Sequence, residues 1–179
     1  MNPSVFRLRV VIDHEEDVFR DIEIRSDQTF EVLHGAIQQA FEFDNSQMAS
    51  FYLSNATWEK GQEVALFDMD DERSENPILT MHQTTLGQLI AAKSDRLLYV
   101  FDFLLMWCFY LEVVEVNTLP AGVDYPRLVQ YFGDAPDQYS KAKDDDLENM
   151  ALSNLAEQLK DLDYFDPDQE APESEDNAS

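Results

Sequence analysis

Three histidines, one cysteine and one isolated carboxylate are the residues of this chain best suited to chemistry. His14, His34 and His82 have neither HExxH spacing nor another metal-ligand spacing. Cys108 is the single cysteine, so a disulfide or a cysteine-based zinc site within the chain is impossible. Asp102 stands among large apolar residues, where an unpaired buried charge would be costly. It must therefore meet a hydrogen-bond donor, for example in a turn, or reach solvent.

Two acidic runs begin like calcium-binding loops, in which a short segment supplies several oxygen ligands to a hard cation. The first starts at Asp68, but Arg73 stands where an EF-hand loop needs Gly, and Leu79 where it needs an acid. The second starts at Asp166 and breaks at Ala171. The motifs GxSxG, GxGxxG and GxxxxGK(S/T) do not occur in the sequence. We therefore expect no metal site and no cofactor.

The charge balance excludes whole classes of partner. The 179 residues include 12 basic and 37 acidic side chains, which give a formal net charge of −25. Nucleic acids and anionic membranes attract proteins through Lys and Arg, and no basic stripe occurs here. We therefore expect no nucleic acid and no membrane as partners, and a basic protein as the charged partner that the sequence allows.

The sequence also favours a cytoplasmic location. Residues 1–9 lack the cationic segment and the apolar run of a signal peptide. The longest apolar stretch, residues 104–111, is too short to cross a bilayer.

Hydrophobic periodicity predicts the elements that must position these residues. Alternation over residues 5–12 and 18–25 predicts two strands of an antiparallel hairpin, with Ile22 and Ile24 on its buried face. Thr29 is suited to cap a helix over residues 29–43, whose apolar residues recur at helical spacing. Further strands are expected at 48–53, 64–67, 96–103 and 106–116, with the last two in the middle of the sheet. Residues 125–139 are rich in Pro, Gly and Asp and predict a loop.

These elements predict an α+β fold with a β-grasp (ubiquitin-like) core, an extended mixed sheet and helices on one face. Residues 1–140 are the expected α+β domain, and 44% hydrophobic residues supply its core. Residues 141–165 carry a stripe of leucines that predicts an amphipathic helix docked on the domain. Residues 166–179 are almost entirely acidic, polar or Pro, which predicts a disordered tail.

Three blocks of residues carry a family resemblance. They are Val18-Phe19-Arg20-Asp21-Ile22-Glu23-Ile24, then Thr29-Phe30-x-x-Leu33-His34-x-x-Ile37-x-x-Ala40-Phe41-x-Phe43, and Tyr99-x-Phe101-Asp102-Phe103-Leu104-Leu105-x-Trp107-x-Phe109. Together they resemble the Ri-plasmid ORF-three family (pRiA-type), small bacterial proteins also labelled insertion-element passenger TnpR-like products. The resemblance implies these signature positions: Arg20, His34, Tyr99, Phe101, Asp102, Phe103 and Trp107.

The departures from the family pattern remove polar or turn-forming groups and keep the apolar scaffold. In the third block, the family's Gly, second Asp and terminal His are Leu104, Leu105 and Phe109 in this chain. A family His-Leu pair after the helix is Gln47-Met48 here. The resemblance therefore implies that a polar site of the family is disabled, and it implies no catalytic activity.

We interpret the chain as a non-catalytic binding or interaction module, with no catalytic residue assigned. Two alternatives stay open. One is an enzyme with a cleft around Asp102 and His34, which requires both groups to converge on one cleft with shifted pKa values. The other is an acidic DNA mimic that captures basic nucleic-acid-binding proteins.

Overall fold

One mixed sheet of eight strands is the framework of the first of two compact units, Met1–Gln138. The computed structural model describes residues 3–68, 78–143 and 154–155. Its strands are β1 Ser4–Ile12, β2 Phe19–Arg25, β3 Ala49–Ser54, β4 Glu63–Ala65, β5 Leu79–Thr80, β6 Arg96–Phe101, β7 Trp107–Thr118 and β8 Arg127–Phe132. Their order is β5-β4-β3-β6-β7-β1-β2-β8, and each neighbouring pair is antiparallel except β4 with β5.

The helix α1, Phe30–Ala40, packs its apolar stripe on one face of this sheet. The Thr29 side chain accepts a hydrogen bond from a backbone N–H of the first turn, which confirms the predicted cap. The Phe30 ring, at the start of α1, contacts the Phe51 ring of β3, with centroids 5.2 Å apart. Phe41, just after the helix, contacts Phe109 of β7 at 5.0 Å. The helix therefore covers the central strands β3, β6 and β7.

The predicted hairpin and the predicted central strands are confirmed. β1 pairs with β2 over seven residue pairs, and Ile22 and Ile24 are buried on the face that α1 covers. β6 and β7 occupy the fourth and fifth places of the eight-stranded order. A single 3-10 turn, Leu86–Gln88, follows Thr85.

The sheet does not have the pairing of a β-grasp core. In a ubiquitin-like core the first and last strands lie parallel at the centre, whereas β1 pairs antiparallel with both β2 and β7. The sequence pattern gives the order of strands and helix along the chain, and several pairings are compatible with one order. The observed class is α+β, a mixed eight-stranded sheet with α1 on one face.

The expectation of a loop over residues 125–139 was wrong, because β8 lies within it. β8 pairs with β2 and ends the sheet, and five of its six residues are exposed. A strand at the edge of a sheet buries neither face fully, so it lacks the alternation that marks β1 and β2.

Of the second unit, Tyr139–Ser179, the structure describes Tyr139, the short helix α2, Ser140–Lys143, and the helical residues 154 and 155. Most of the expected amphipathic helix at 141–165, the expected tail at 166–179 and most of the first acidic run lie outside the described residues. Among those described, no helix is long and apolar enough to cross a membrane.

On the face opposite α1, the hairpin holds a fully buried carboxylate that the sequence pattern did not predict. Asp21 accepts hydrogen bonds from Arg7 at 2.9 Å and from Arg9 at 2.9 and 3.0 Å, and its side chain is 0% exposed. Burial raises the pKa of Asp21, but the bonds from Arg9 and Arg7 outweigh burial and hold the pKa below its usual value. Asp21 therefore cross-links β1 and β2 as a carboxylate.

We expect Asp21→Asn to lower the free energy of unfolding at pH 7 by about 3 kcal/mol, because it leaves two guanidinium groups without their buried anion. Urea unfolding measures the change. The matched control is Asp27→Asn, which breaks an Arg–Asp pair with side chains 39% and 45% exposed, and it should cost under about 1 kcal/mol.

The bonds of Asp21 with Arg7 and Arg9 also predict that the free energy of unfolding falls at acid pH. A carboxyl whose folded pKa is depressed stabilises the fold above its unfolded pKa, about 3.9, and this stability is lost as the pH falls through the folded pKa. The parent should therefore lose more stability than Asp21→Asn below about pH 4. Equal stability of parent and Asp21→Asn at pH 7 would contradict the structural role of the pair.

Candidate functional site

The polar centre of the fold is a closed ring of hydrogen bonds beneath α1, which we call the His34 ring. His34 Nδ1 lies 2.5 Å from the Tyr99 hydroxyl, and His34 Nε2 lies 2.5 Å from Asn45 Oδ1. Gln38 Nε2 donates to the Tyr99 hydroxyl at 2.9 Å, and Gln38 Oε1 accepts from the Asn45 backbone N at 3.0 Å. Both ring nitrogens of His34 are therefore engaged.

The protonation states follow from this ring. Because Asn45 Oδ1 can only accept, His34 Nε2 carries the proton and Nδ1 accepts from the Tyr99 hydroxyl. Burial lowers the pKa of His34, against smaller opposing effects of Asn45 and Glu31. Burial likewise raises the pKa of Tyr99 far above its usual value. Both side chains are therefore neutral near pH 7.

A cavity of about 440 Å³ lies beside the His34 ring. His34, Asn45, Gln47 and Met48 contribute to its wall. Gln47, the position at which the resemblance implies a family His, lies in the same cavity wall as His34. An uncharged amide at this place leaves the cavity with no second imidazole.

Asp102 has a structural role at the turn between β6 and β7. Its backbone has φ of 62°, in the left-handed region that Asp tolerates better than most residues. Its carboxylate accepts from the backbone N of Leu104 at 3.0 Å and of Leu105 at 3.1 Å. It makes no hydrogen bond with His34 among the described residues. The turn-bonding interpretation of Asp102 is therefore confirmed.

The remaining signature aromatics divide between core and surface. Phe101 is fully buried and contacts Phe43 with centroids 5.8 Å apart. Trp107 is 1% exposed, and its indole N–H donates to the Gln138 carbonyl at 2.9 Å. Phe103 is 49% exposed in the turn.

The three substituted signature positions also divide. Leu105 and Phe109 are buried, whereas Leu104 is 64% exposed. The Phe109 ring contacts Tyr99 at 5.2 Å and Phe41 at 5.0 Å, so it fills the core beside the His34 ring. Apolar packing therefore occupies the position at which the resemblance implies a His.

Arg20 is the signature residue whose surroundings the sequence pattern did not predict. It lies on the α1 face of β2 and is 7% exposed. Its Nε donates to the Ala40 carbonyl at the end of α1, and its Nη1 donates to the carbonyls of Phe19, Phe132 and Gly133. A cleft of about 510 Å³ between α1 and β8 opens beside it. The apolar alternation of β2 gave no signal that a cation shares its buried face.

Within the described part of the chain, no group of three or more His, Cys, Asp or Glu side chains converges in the manner of a metal site. The signature residues thus separate into the His34 ring, the Asp102 turn, the Trp107 contact and the Arg20 cleft.

Tyr99→Phe should lower the free energy of unfolding by about 1–3 kcal/mol, because it removes the hydroxyl that bonds both His34 and Gln38 in a buried place. Tyr110→Phe is the matched control on the neighbouring strand, where the hydroxyl makes no hydrogen bond among the described residues. Urea unfolding of both variants tests the ring. Equal small losses would show that the ring contributes nothing specific.

Phe109→His should cost about 3 kcal/mol or more, because it loses apolar contact area and leaves an imidazole among aromatic rings. Phe103→His, at the exposed signature position, is the control and should change stability by under about 0.5 kcal/mol. Chemical unfolding measures both. An unchanged Phe109→His variant that gained a bound ligand or metal would mean that the polar site is latent.

Comparison with solved structures finds a similar fold in a protein from another organism. A protein of unknown function from Methanosarcina mazei Go1 (MM3350) superposes with a TM-score of 0.66 at 20% identity, over 93% of each chain. At that identity the likeness shows the fold alone. No curated protein matches the sequence.

The sequence itself matches a family model over most of its length. The family is described as plasmid pRiA4b ORF-3-like protein, and the match extends over residues 4–169 of 179. It includes the strand with Arg20, the helix with His34 and the strands that carry Tyr99 and Trp107. The chain therefore belongs to the plasmid pRiA4b ORF-3-like protein family.

Proposed function

We propose that this chain is a non-catalytic binding module that takes up an extended segment of a partner protein along the free edge of β8. The observation that carries the proposal is the exposure of Leu128, Tyr131 and Phe132, which are 46%, 69% and 55% exposed on the last strand of the sheet. Three large apolar side chains on one edge strand are typical of an interaction site.

The main chain of β8 supports the same proposal. Among the described residues, β8 has a neighbouring strand on one side only, β2. Its other side can add a strand, and main-chain hydrogen bonds then supply affinity while side-chain contacts supply specificity. Proteins protect such edges with Lys, Pro or short strands. β8 is six residues long and contains no Lys or Pro. Its single charged residue, Arg127, forms an ion pair with Glu23 at 3.0 Å.

The state of the polar residues favours binding over catalysis. Both nitrogens of His34 are engaged in the His34 ring, and the Asp102 carboxylate bonds its own turn. The enzyme alternative requires these two groups to act in one cleft, and no hydrogen bond between them supports it.

Net charge favours a basic partner. At a formal −25 per chain, two copies repel one another, whereas a protein with exposed lysines is attracted over a Debye length. The face opposite α1 carries Arg7, Arg9 and Arg96 besides its acids, which supports a strand-pairing module over a regular array of carboxylates that mimics DNA.

Phe132→Lys and Leu128→Lys should abolish capture of the partner, because each places a charge on the apolar edge. The measurement is affinity capture from an extract of the source cells, followed by binding of the purified partner at low and high salt. Leu104→Lys is the control, since it charges a leucine of the β6–β7 turn that is more exposed, at 64%.

We expect the parent and Leu104→Lys to bind one partner with an affinity that weakens as salt rises. Equal binding by all variants would place the interface elsewhere. If His34→Gln lost binding and the β8 variants kept it, the result would favour the alternative of a cleft around Asp102 and His34.

A further inference from the structure

We propose that the cleft between α1 and β8 binds a small organic carboxylate, with its charged group on Arg20 and its apolar body along the walls. This goes beyond the strand-pairing function, because the site needs only α1, β2 and β8 of a single chain and can be occupied without a protein partner.

The guanidinium of Arg20 is held rigidly. Four backbone carbonyls, from Phe19, Ala40, Phe132 and Gly133, accept from its Nε and Nη1 at 2.8 to 3.1 Å. Its Cζ atom also lies 5.2 Å from the Phe41 ring centroid. The group is therefore fixed before any ligand arrives, so binding costs little side-chain entropy.

One nitrogen of this guanidinium remains for a ligand. Nη2 of Arg20 makes no hydrogen bond within the described residues. Every buried side-chain nitrogen or oxygen in that part of the chain has a hydrogen-bond partner, so Nη2 is not a buried atom. Nη2 is therefore open to the cleft that Arg20 lines. Among the described residues no carboxylate is hydrogen-bonded to the group, and the charges of Glu42 and Asp134 act on it only from a distance. A buried cation paired with carbonyls alone has an unmet preference for an anion.

Gly133 makes this arrangement possible. It has φ of 76°, and an added Cβ would lie 2.5 Å from the Asp17 carbonyl oxygen. The chain can therefore leave β8 in a conformation that turns the Gly133 carbonyl toward Arg20.

The rest of the cleft has the properties of a site for a small ligand. Its volume of about 510 Å³ is in the range of small-molecule pockets. Ile22, Ala36, Ala40 and Leu128 give it apolar walls, and the Tyr131 ring lies 5.5 Å from the Arg20 guanidinium. A ligand with one carboxylate and a flat or branched apolar body matches both halves of this lining.

Three other polar side chains of the cleft bear on the choice of ligand. Glu42 lines the cleft and would repel a second negative charge, so a monoanion fits better than a phosphate dianion. Gln39 also lines the cleft and offers an amide donor. Arg127 lines it as well, but its guanidinium is bound to Glu23.

The test is an NMR titration of ¹⁵N-labelled protein with acetate, hexanoate and phenylacetate, against phenylacetamide and inorganic phosphate at matched ionic strength. We expect saturable shifts of the Arg20 Nε–H and the Tyr131 amide with phenylacetate. Phenylacetamide should bind at least about tenfold more weakly, because it lacks the charge. No saturation by any carboxylate, or phosphate binding as tightly as phenylacetate, would overturn the proposal.

Variants separate the site from a general effect of charge. Glu42→Gln should tighten phenylacetate binding severalfold, whereas Glu31→Gln, with the same charge change at the other end of α1, should not. Ala36→Met should fill the cleft and abolish binding without touching Arg20, while Val32→Met on the same helix should leave it intact. Arg20→Gln should also abolish binding. If Arg20→Gln does not fold, the Ala36→Met result tests the proposed site.

The strand-edge variant Phe132→Lys distinguishes this proposal from the strand-pairing one. Phe132 is not part of the cleft wall, so the variant should keep carboxylate binding even where it loses the protein partner. Loss of carboxylate binding in Phe132→Lys with an intact fold would contradict a separate site.

Discussion

The burial of α1 over the central strands is the constraint on which the other features of this domain depend. An eleven-residue helix that covers β3, β6 and β7 brings His34 and Gln38 into the core as well as its apolar stripe. Buried polar groups must find partners, and a half-satisfied set would cost more than an apolar core. Tyr99 and Asn45 complete the ring from the sheet and from the chain after the helix.

The C-terminal end of α1 also needs hydrogen-bond donors. The last carbonyls of a helix have no partner within it, and α1 has no basic residue in its last turn. Arg20 supplies the missing donor from the neighbouring strand, through Nε to the Ala40 carbonyl. Because its Nη1 also bonds carbonyls at the ends of β2 and β8, one side chain fixes the helix end and the sheet edge together. The cleft beside Arg20 is a consequence of this geometry.

The sequence pattern predicted those features of the fold that depend on residues close together along the chain. Alternation placed β1 and β2 and their buried faces, and Thr29 marked the start of α1, because side-chain period and capping act within a few residues. Burial of Leu105 and Phe109 was predictable from their apolar type. The burial of Asp21 was not, since it depends on Arg7 and Arg9 from a paired strand. β8 was missed for the same reason, because its pairing with β2 joins residues more than a hundred positions apart.

The arginines in the described part of this acidic chain are committed to its fold. Arg7 and Arg9 bind Asp21, Arg127 binds Glu23, and Arg96 and Arg20 donate to backbone carbonyls. With 12 basic against 37 acidic residues, most carboxylates have no cation available to pair with. Their field attracts basic proteins and repels anions. An anion can therefore bind only where a cation is fixed at short range in a low-dielectric place, and the Arg20 cleft meets that condition.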